Sequence, residues 1–238
     1  MPSYLWYKKT LDNNFVESEH PRDEDGKFTD KDSGGSGVSS SQKEALKSYV
    51  SGNMMNINNA MRGVGGLSES DLNNEEKGVI KELKQATSQP LPKNIKELYR
   101  SVDVSALAGG ISNLEYDNLR DYLLYGDQNK IVKESAERTL SKIIGKEITD
   151  KGFMSTTKDK DVAYNWDDFS GAEHPVVLKL NTENGAKGVD VEELGIEKEL
   201  NPDLEDSQAE VLLQNGTKYK ITGVFAEEGN IVFSADIE

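Results

Sequence analysis

The stretch QAEVLLQNGTKYKI, Gln208 to Ile221, reads as two neighbouring strands joined by a turn. Ala209, Val211 and Leu213 alternate with Gln208, Glu210 and Leu212, so one face opens with two polar side chains. A strand that continues VLL is built for burial, and a Gln and a Glu two residues apart on its face need a reason. Either this is the wet side of an ordinary sheet, the usual meaning of alternating polar residues, or the face looks into a site.

Outward from this stretch the texture is that of strands from residue 147 onward: EITDKGFMSTT (147–157), PVVLKLNT (175–182), KGVDVEEL (187–194) and KYKITGVFAEEGNIVFSADI (218–237). Upstream the pattern is helical. SSSQKEALKSYVSGNMMNINNAMRG (39–63) places Ala45, Leu46, Tyr49 and Val50 at helical spacing, breaks at Gly52, and restarts with Ile57, Ala60 and Met61. LNNEEKGVIKELKQATSQPLP (72–92) is an amphipathic helix ended by Pro90 and Pro92. IKELYRSVDV (95–104) reads as a short strand, and LEYDNLRDYLLYG (114–126) and KESAERTLSKIIG (133–145) as further helices. Helices first and strands later predict an α+β domain. Residues 18–41 are charged, Gly/Ser-rich and nearly free of apolar side chains, which predicts a flexible N-terminal tail or tether over 1–41 and a folded domain over 42–238. Within the tail, Tyr4, Leu5, Trp6 and Tyr7 form a small apolar knot.

The 238 residues are 35% hydrophobic and 30% charged, enough apolar side chain for a core, with a net charge of −15. That acidic balance argues against nucleic-acid binding, where affinity rests on Lys and Arg meeting phosphates. No apolar run approaches the ~18 residues of a membrane helix, and MPSYLWYKKTLDNNF lacks a secretory signal's apolar centre, so no membrane partner is expected. With no cysteine, thiolate chemistry and disulfides are out, which suits a soluble protein made in a reducing bacterial cytoplasm. His20 and His174, the two histidines, lie far apart, and no metal site is expected.

Three polar features lie on or beside apolar strands: Arg100 in LYRSV, the Ser155-Thr156-Thr157 tract after GFM, and the pair Gln208 and Glu210. Acids two apart also occur in ESE (17–19) and EKE (197–199), but neither runs into an apolar strand. The order is the specific signal: an Arg on a strand after N-terminal helices, an aromatic-x-Ser-Thr-Ser/Thr tract, then Gln/Glu-x-Glu opening a strand that continues VLL. This arrangement resembles the Arg–Ser–Glu class of mono-ADP-ribosyltransferases, the family of the clostridial Rho-modifying exoenzymes and the actin-modifying binary toxins. ALKSYVSGNMMNINNAMRG is similar to that family's helical ALxxYTGxGxxxINxxLRG stretch, and PVVLKLNTENGAKGVDVEEL to its strand, Gly-turn and strand.

The resemblance implies N-terminal helices packed on a split mixed β-sheet core with NAD in a central cleft. It implies ADP-ribose transfer from NAD to a protein side chain, with release of nicotinamide and no metal. Breaking the nicotinamide–ribose bond develops positive charge on the sugar, as in glycoside hydrolysis, and a fixed carboxylate stabilises it. By resemblance that carboxylate is Glu210, kept ionised and oriented by the Ser155 hydroxyl. Arg100 becomes the phosphate anchor, the Ser101 backbone a clasp for the nicotinamide amide, and Arg62 a second phosphate contact, although a cation at a helix end also fits its position. Thr157 stands where the family has its second Ser. In the loop KDKDVAYNWDDFSGAEHP (158–175), Trp166 and Phe169 are candidate NAD contacts or packing anchors. The loop has no Arg there, so Lys158, Lys160 or His174 would have to serve.

Gln208 occupies the position that meets the acceptor in this family. Glu there generally goes with arginine; an uncharged Gln that both donates and accepts suits Asn, Gln or Thr. The acidic loop ELNPDLEDS (199–207) is the expected contact with the protein substrate, and makes a basic target patch plausible; a monomer is expected. HPRDEDGKFTDK (20–31) also resembles a tract of phage head-associated proteins, which would make the enzyme phage-borne and virion-associated. The rival readings are an NAD glycohydrolase using water, a non-enzymatic virion interaction module, and a transferase that modifies arginine after all.

Overall fold

A computed structural model describes residues 37–109, 111–126, 129–166, 172–202 and 207–238. The knot Tyr4–Tyr7, the tract 20–31, Phe169 and the middle of the acidic loop (203–206) lie outside the described residues.

The N-terminal layer is three helices. Helix α1 (Ser40–Ser48) opens with a capping box in which Ser39 and Gln42 satisfy each other's backbone amides. A π-helical turn (Tyr49–Asn53), with Gly52 out of helical geometry, re-aims the chain into α2 (Met54–Arg62). Helix α3 (Asn74–Ala86) starts on a second capping box, Asn73 with Glu76, and packs on α1. Strand β1 (Glu97–Asp103) follows, then the short α4 (Val104–Ala108) and the antiparallel pair α5 (Asn113–Tyr125) and α6 (Lys130–Ile143). The remaining elements are β2 (Glu147–Asp150), β3 (Met154–Thr157), α7 (Lys160–Tyr164), β4 (Pro175–Asn181), β5 (Gly188–Asp190), α8 (Ile196–Leu200), β6 (Glu210–Leu213), β7 (Thr217–Glu227) and β8 (Asn230–Ile237).

All eight strands join one mixed sheet in the order β2-β7-β8-β4-β1-β3-β6-β5, with β4 and β8 parallel and the other pairs antiparallel. The expected split is present as a weak seam: β1 and β3 share a single residue pair, Tyr99 with Thr157, whereas β1 and β4 pair along seven residues. Two cores flank the sheet. Leu98, Leu178, Phe233 and Ile221, with Met154, Val211 and Leu213 from across the seam, pack with Leu119 and Ile143 under α5 and α6, while Phe153, Val189 and Leu212 pack with Leu46, Ile57 and Leu83 of α1 to α3.

The opening stretch does not form a pair of neighbouring strands. β6 bonds β3 and β5, β7 bonds β2 and β8, and the two stand five places apart in the sheet order. The burial of β6 supplies the reason. All four of its residues are buried, so it needs a layer on both faces, whereas β7 begins with alternating burial and needs a layer on only one. EITDKGFMSTT behaves likewise, breaking at Lys151–Phe153 into β2 and β3, again five places apart. The chain therefore crosses between the two parts at each of these two breaks, and the Gly216 amide donates to the Asp150 carbonyl at 2.7 Å where these crossings meet.

Candidate active site

The two crossings, β1 and α2 bring the predicted cations together. Arg62, on the last turn of α2, donates from Nε and Nη2 to both oxygens of Asp150 (2.7 and 2.9 Å) and from Nη2 to the Phe153 carbonyl at 3.0 Å. Arg100 Nη1 stands 3.8 Å from the same carboxylate. Two guanidinium groups thus share one carboxylate, which leaves a net positive charge. Both line a cavity of about 370 Å³ with Asp150, Met154, Leu178 and Tyr219. The donor set fits an anion of the pyrophosphate kind.

Gly152 is required by the close approach. A Cβ on it would lie 2.6 Å from Asn58 Oδ1 and 3.0 Å from the Arg62 guanidinium carbon. Asn58 cannot yield, because its Oδ1 accepts from the Phe153 amide (2.9 Å) and its Nδ2 donates to the Tyr49 hydroxyl (2.8 Å). Gly152→Ala is therefore expected to push Arg62 off Asp150 and cost about 1–3 kcal/mol, read as a fall of several degrees in Tm by calorimetry.

Glu210 begins β6 facing the helical layer, only 8% exposed. The Ser155 hydroxyl favours the ionised forms of the Glu210 carboxyl and of the buried Tyr49 phenol, and donates to the Met54 sulfur at 3.6 Å. The expectation of a lowered carboxyl pKa is not met. Burial pushes Glu210 up to about 7, with Glu197 adding to the rise and Ser155 and Arg100 opposing it. Arg100 thus acts on the carboxylate and lines the cavity as well.

Gln208 and Glu210 do not share a strand face, which corrects the alternation read from the sequence. Ala209 has φ +48°, so regular alternation starts only at Glu210, leaving Gln208 exposed and Glu210 buried. The surrounding structure imposes this backbone. Thr157 Oγ1 donates to the Gln208 carbonyl (2.7 Å), and the Lys158 amide to the Ala209 carbonyl (3.0 Å). From the other side Glu197 accepts from the Gln208 amide (2.9 Å), the Glu210 amide (3.3 Å) and the Ser207 hydroxyl (2.6 Å).

Of the other predicted residues, Ser101 sits on β1 beside Arg100, opposite Val177 of β4. Thr157 is buried, with its hydroxyl engaged by Gln208 and by the Asp159 amide. Trp166 follows α7 and is exposed. None of the substitutes for the loop arginine lies with Arg62 and Arg100: Lys158 pairs with Asp190 and Glu192, Lys160 with Glu227 and Glu228, and His174 stacks on Tyr116. Four participants were missed: Asp150, Asn58, Tyr49 and Glu197. The last lies in the EKE set aside because it leads into no strand; its buried position appears only once α8 meets residues 207–210. Among the described residues, no group of three or more His, Cys, Asp or Glu side chains is placed to hold a metal, and no helix is long and apolar enough to cross a membrane.

Solved structures of the same architecture define the class as the ADP-ribosyltransferase fold. The C3 exoenzyme of Clostridium limosum is 23% identical, with TM-score 0.54 over 84% of this chain and 86% of that one. C3stau2 from S. aureus, solved with NAD, is 21% identical, with TM-score 0.59 over 84% and 88%. Plx2a, an ADP-ribosyltransferase toxin from Paenibacillus larvae, is 18% identical, with TM-score 0.53 over 84% and 87%. No curated protein matches the chain. The chain belongs to the ADP-ribosyltransferase exoenzyme family, whose model matches residues 6–235. It is an NAD-dependent mono-ADP-ribosyltransferase, similar in fold to C3 exoenzymes and related toxins.

Proposed function

We propose that the enzyme transfers ADP-ribose from NAD to an uncharged side chain, Asn, Gln or Thr, of a target protein, in the manner of a toxin or effector. The single observation that carries the acceptor class is the exposed Gln208, presented two residues before a buried Glu210 on a backbone bonded from both sides. The nearby acids Asp190 and Glu192 are both paired with Lys158, so neither is left to receive a guanidinium.

In this reading Arg62 and Arg100 take the phosphates, with the Ser101 backbone near the nicotinamide amide and Thr157 setting the loop that carries Gln208. Ser155 orients Glu210 beneath the ribose. As the nicotinamide bond lengthens, positive charge grows on the sugar and the Glu210 carboxylate stabilises it. The arriving cationic nicotinamide favours ionisation of a carboxyl poised near neutrality. Gln208 holds the acceptor in line by accepting from its amide or hydroxyl. The acidic loop 199–207 is taken as the contact with a basic target patch, with Glu199 at its start held by Lys43 and Lys47.

The test is incubation with labelled NAD and lysate, followed by mass spectrometry of the acceptor. Adducts on Asn, Gln or Thr, with none on agmatine (a soluble guanidine), are the expected result, and Gln208→Glu is expected to gain agmatine labelling. Arginine adducts from the wild type overturn the acceptor assignment. Nicotinamide release with no labelled protein, persisting in Gln208→Ala, would mean a glycohydrolase.

A further inference from the structure

Glu197 is the group that ties α8 to the turn carrying Gln208 and Glu210. It is only 7% exposed, and both its oxygens are committed. Oε2 accepts from the Ser207 hydroxyl and the Gln208 amide, and Oε1 from the Glu210 amide. Ser207 Oγ, in donating to Glu197, turns its lone pair to the Ala209 amide at 3.0 Å. Three successive amides, 208 to 210, are thereby satisfied by one carboxylate and one hydroxyl. Between them sits Ala209 at φ +48°, a conformation that costs an alanine of order 1 kcal/mol and persists only where the surroundings over-determine it. Among the described residues no cation pairs with Glu197; burial of its carboxylate is unfavourable, and accepting three hydrogen bonds offsets its desolvation.

We infer that Glu197 is a positioning residue for catalysis, a buried anionic template that sets the turn at Ala209 so that Gln208 points outward and Glu210 inward. This rests on the reading of Glu210 as the catalytic carboxylate and deepens it. Among the described residues no hydrogen bond or ion pair joins the template to the Arg62–Asp150–Arg100 cluster, so it governs the chemical and acceptor steps and leaves nucleotide binding alone. It also acts through charge. The charged or titratable groups facing Glu210 are Tyr49 from the π-helical turn, Arg100 from β1 and Glu197 from the α8 side, while Lys158 nearby is held by Asp190 and Glu192. Glu197 raises the Glu210 pKa, so removing its charge lowers it.

Steady-state kinetics of Glu197→Gln against wild type and Glu210→Gln, across pH, test this. Gln keeps one oxygen acceptor but replaces the other with a donor that faces an amide. Transferase kcat is expected to fall by about 10- to 100-fold, with KM for NAD unchanged and the acid limb of the kcat profile displaced to lower pH. Wild-type kcat with an unmoved acid limb overturns the inference, as does a loss carried wholly in KM for NAD. Should Glu197→Gln fail to fold, Ser207→Ala removes one donor and the Ala209 acceptor. It is expected to lower kcat severalfold while leaving the NAD-induced rise in Tm intact, and wild-type kcat there overturns the inference equally. An active Glu210→Gln defeats the underlying reading, whereas an inactive Glu210→Gln beside a wild-type-like Glu197→Gln defeats only the template.

Discussion

Glu210→Gln is expected to lose about 10²–10³-fold in kcat while becoming the more stable protein at alkaline pH. The two effects share one cause. Burial lifts the Glu210 carboxyl from 4.5 to about 7, so the folded protein holds this proton more tightly than the unfolded chain does. Between those values the folded state binds more protons, and stability falls as pH rises through the window. Above it the penalty is fully present, roughly 3 kcal/mol at most, and below pH 4.5 it vanishes. An amide of the same shape carries no such charge. Thermal melts from pH 4 to 8.5 should therefore show Glu210→Gln gaining on wild type only at the upper end, with kcat still lower by about 10²–10³-fold there. Equal melting curves throughout would mean that the carboxylate is solvated and unstrained, and the electrostatic case for its role would fall with them.

The second large effect belongs to Arg100. Arg100→Lys keeps the charge but loses the planar fork and reach that a pyrophosphate favours. Charge-assisted hydrogen bonds are worth about 1.5–3 kcal/mol each, so KM for NAD should rise by about tenfold or more, and the NAD-dependent increase in Tm should shrink with it. Because Arg100 also opposes the rise in the Glu210 pKa, an alanine there should lift that pKa further and move the acid limb of turnover to higher pH. Isothermal titration with NAD separates the two contributions, since the binding loss persists at a pH where Glu210 is fully ionised.

How legible was this from residues alone? The helical layer was, because its starts are written locally: Ser39 with Gln42, and Asn73 with Glu76, are capping boxes whose partners lie three residues apart. Arg100, Ser155 and Glu210 stood out through order and context. What stayed hidden was long-range. Asp150 in EITD looks like one more polar residue on a half-exposed strand, and nothing near it announces a guanidinium 88 positions away. Periodicity tells which side chains are apolar and says little of which strand lies alongside, so β6 and β7 read as a hairpin. Ala209 hides a left-handed backbone under a residue that usually avoids it. Glu197 escaped for the opposite reason: a charged residue next to Lys198 and Glu199 reads as solvent-facing, and only tertiary packing buries it.

The double crossing has one more consequence. Residues 151–153 and 214–216, three residues each, are the shortest links between strands of the two parts among the described residues, and they are clasped to one another by the Gly216–Asp150 backbone bond. The separation of the two blades is consequently fixed by covalent chain length at that end, like a book held at its spine. The two links limit how far the parts can separate there, while the residues along the opposite margin are free to vary without altering them.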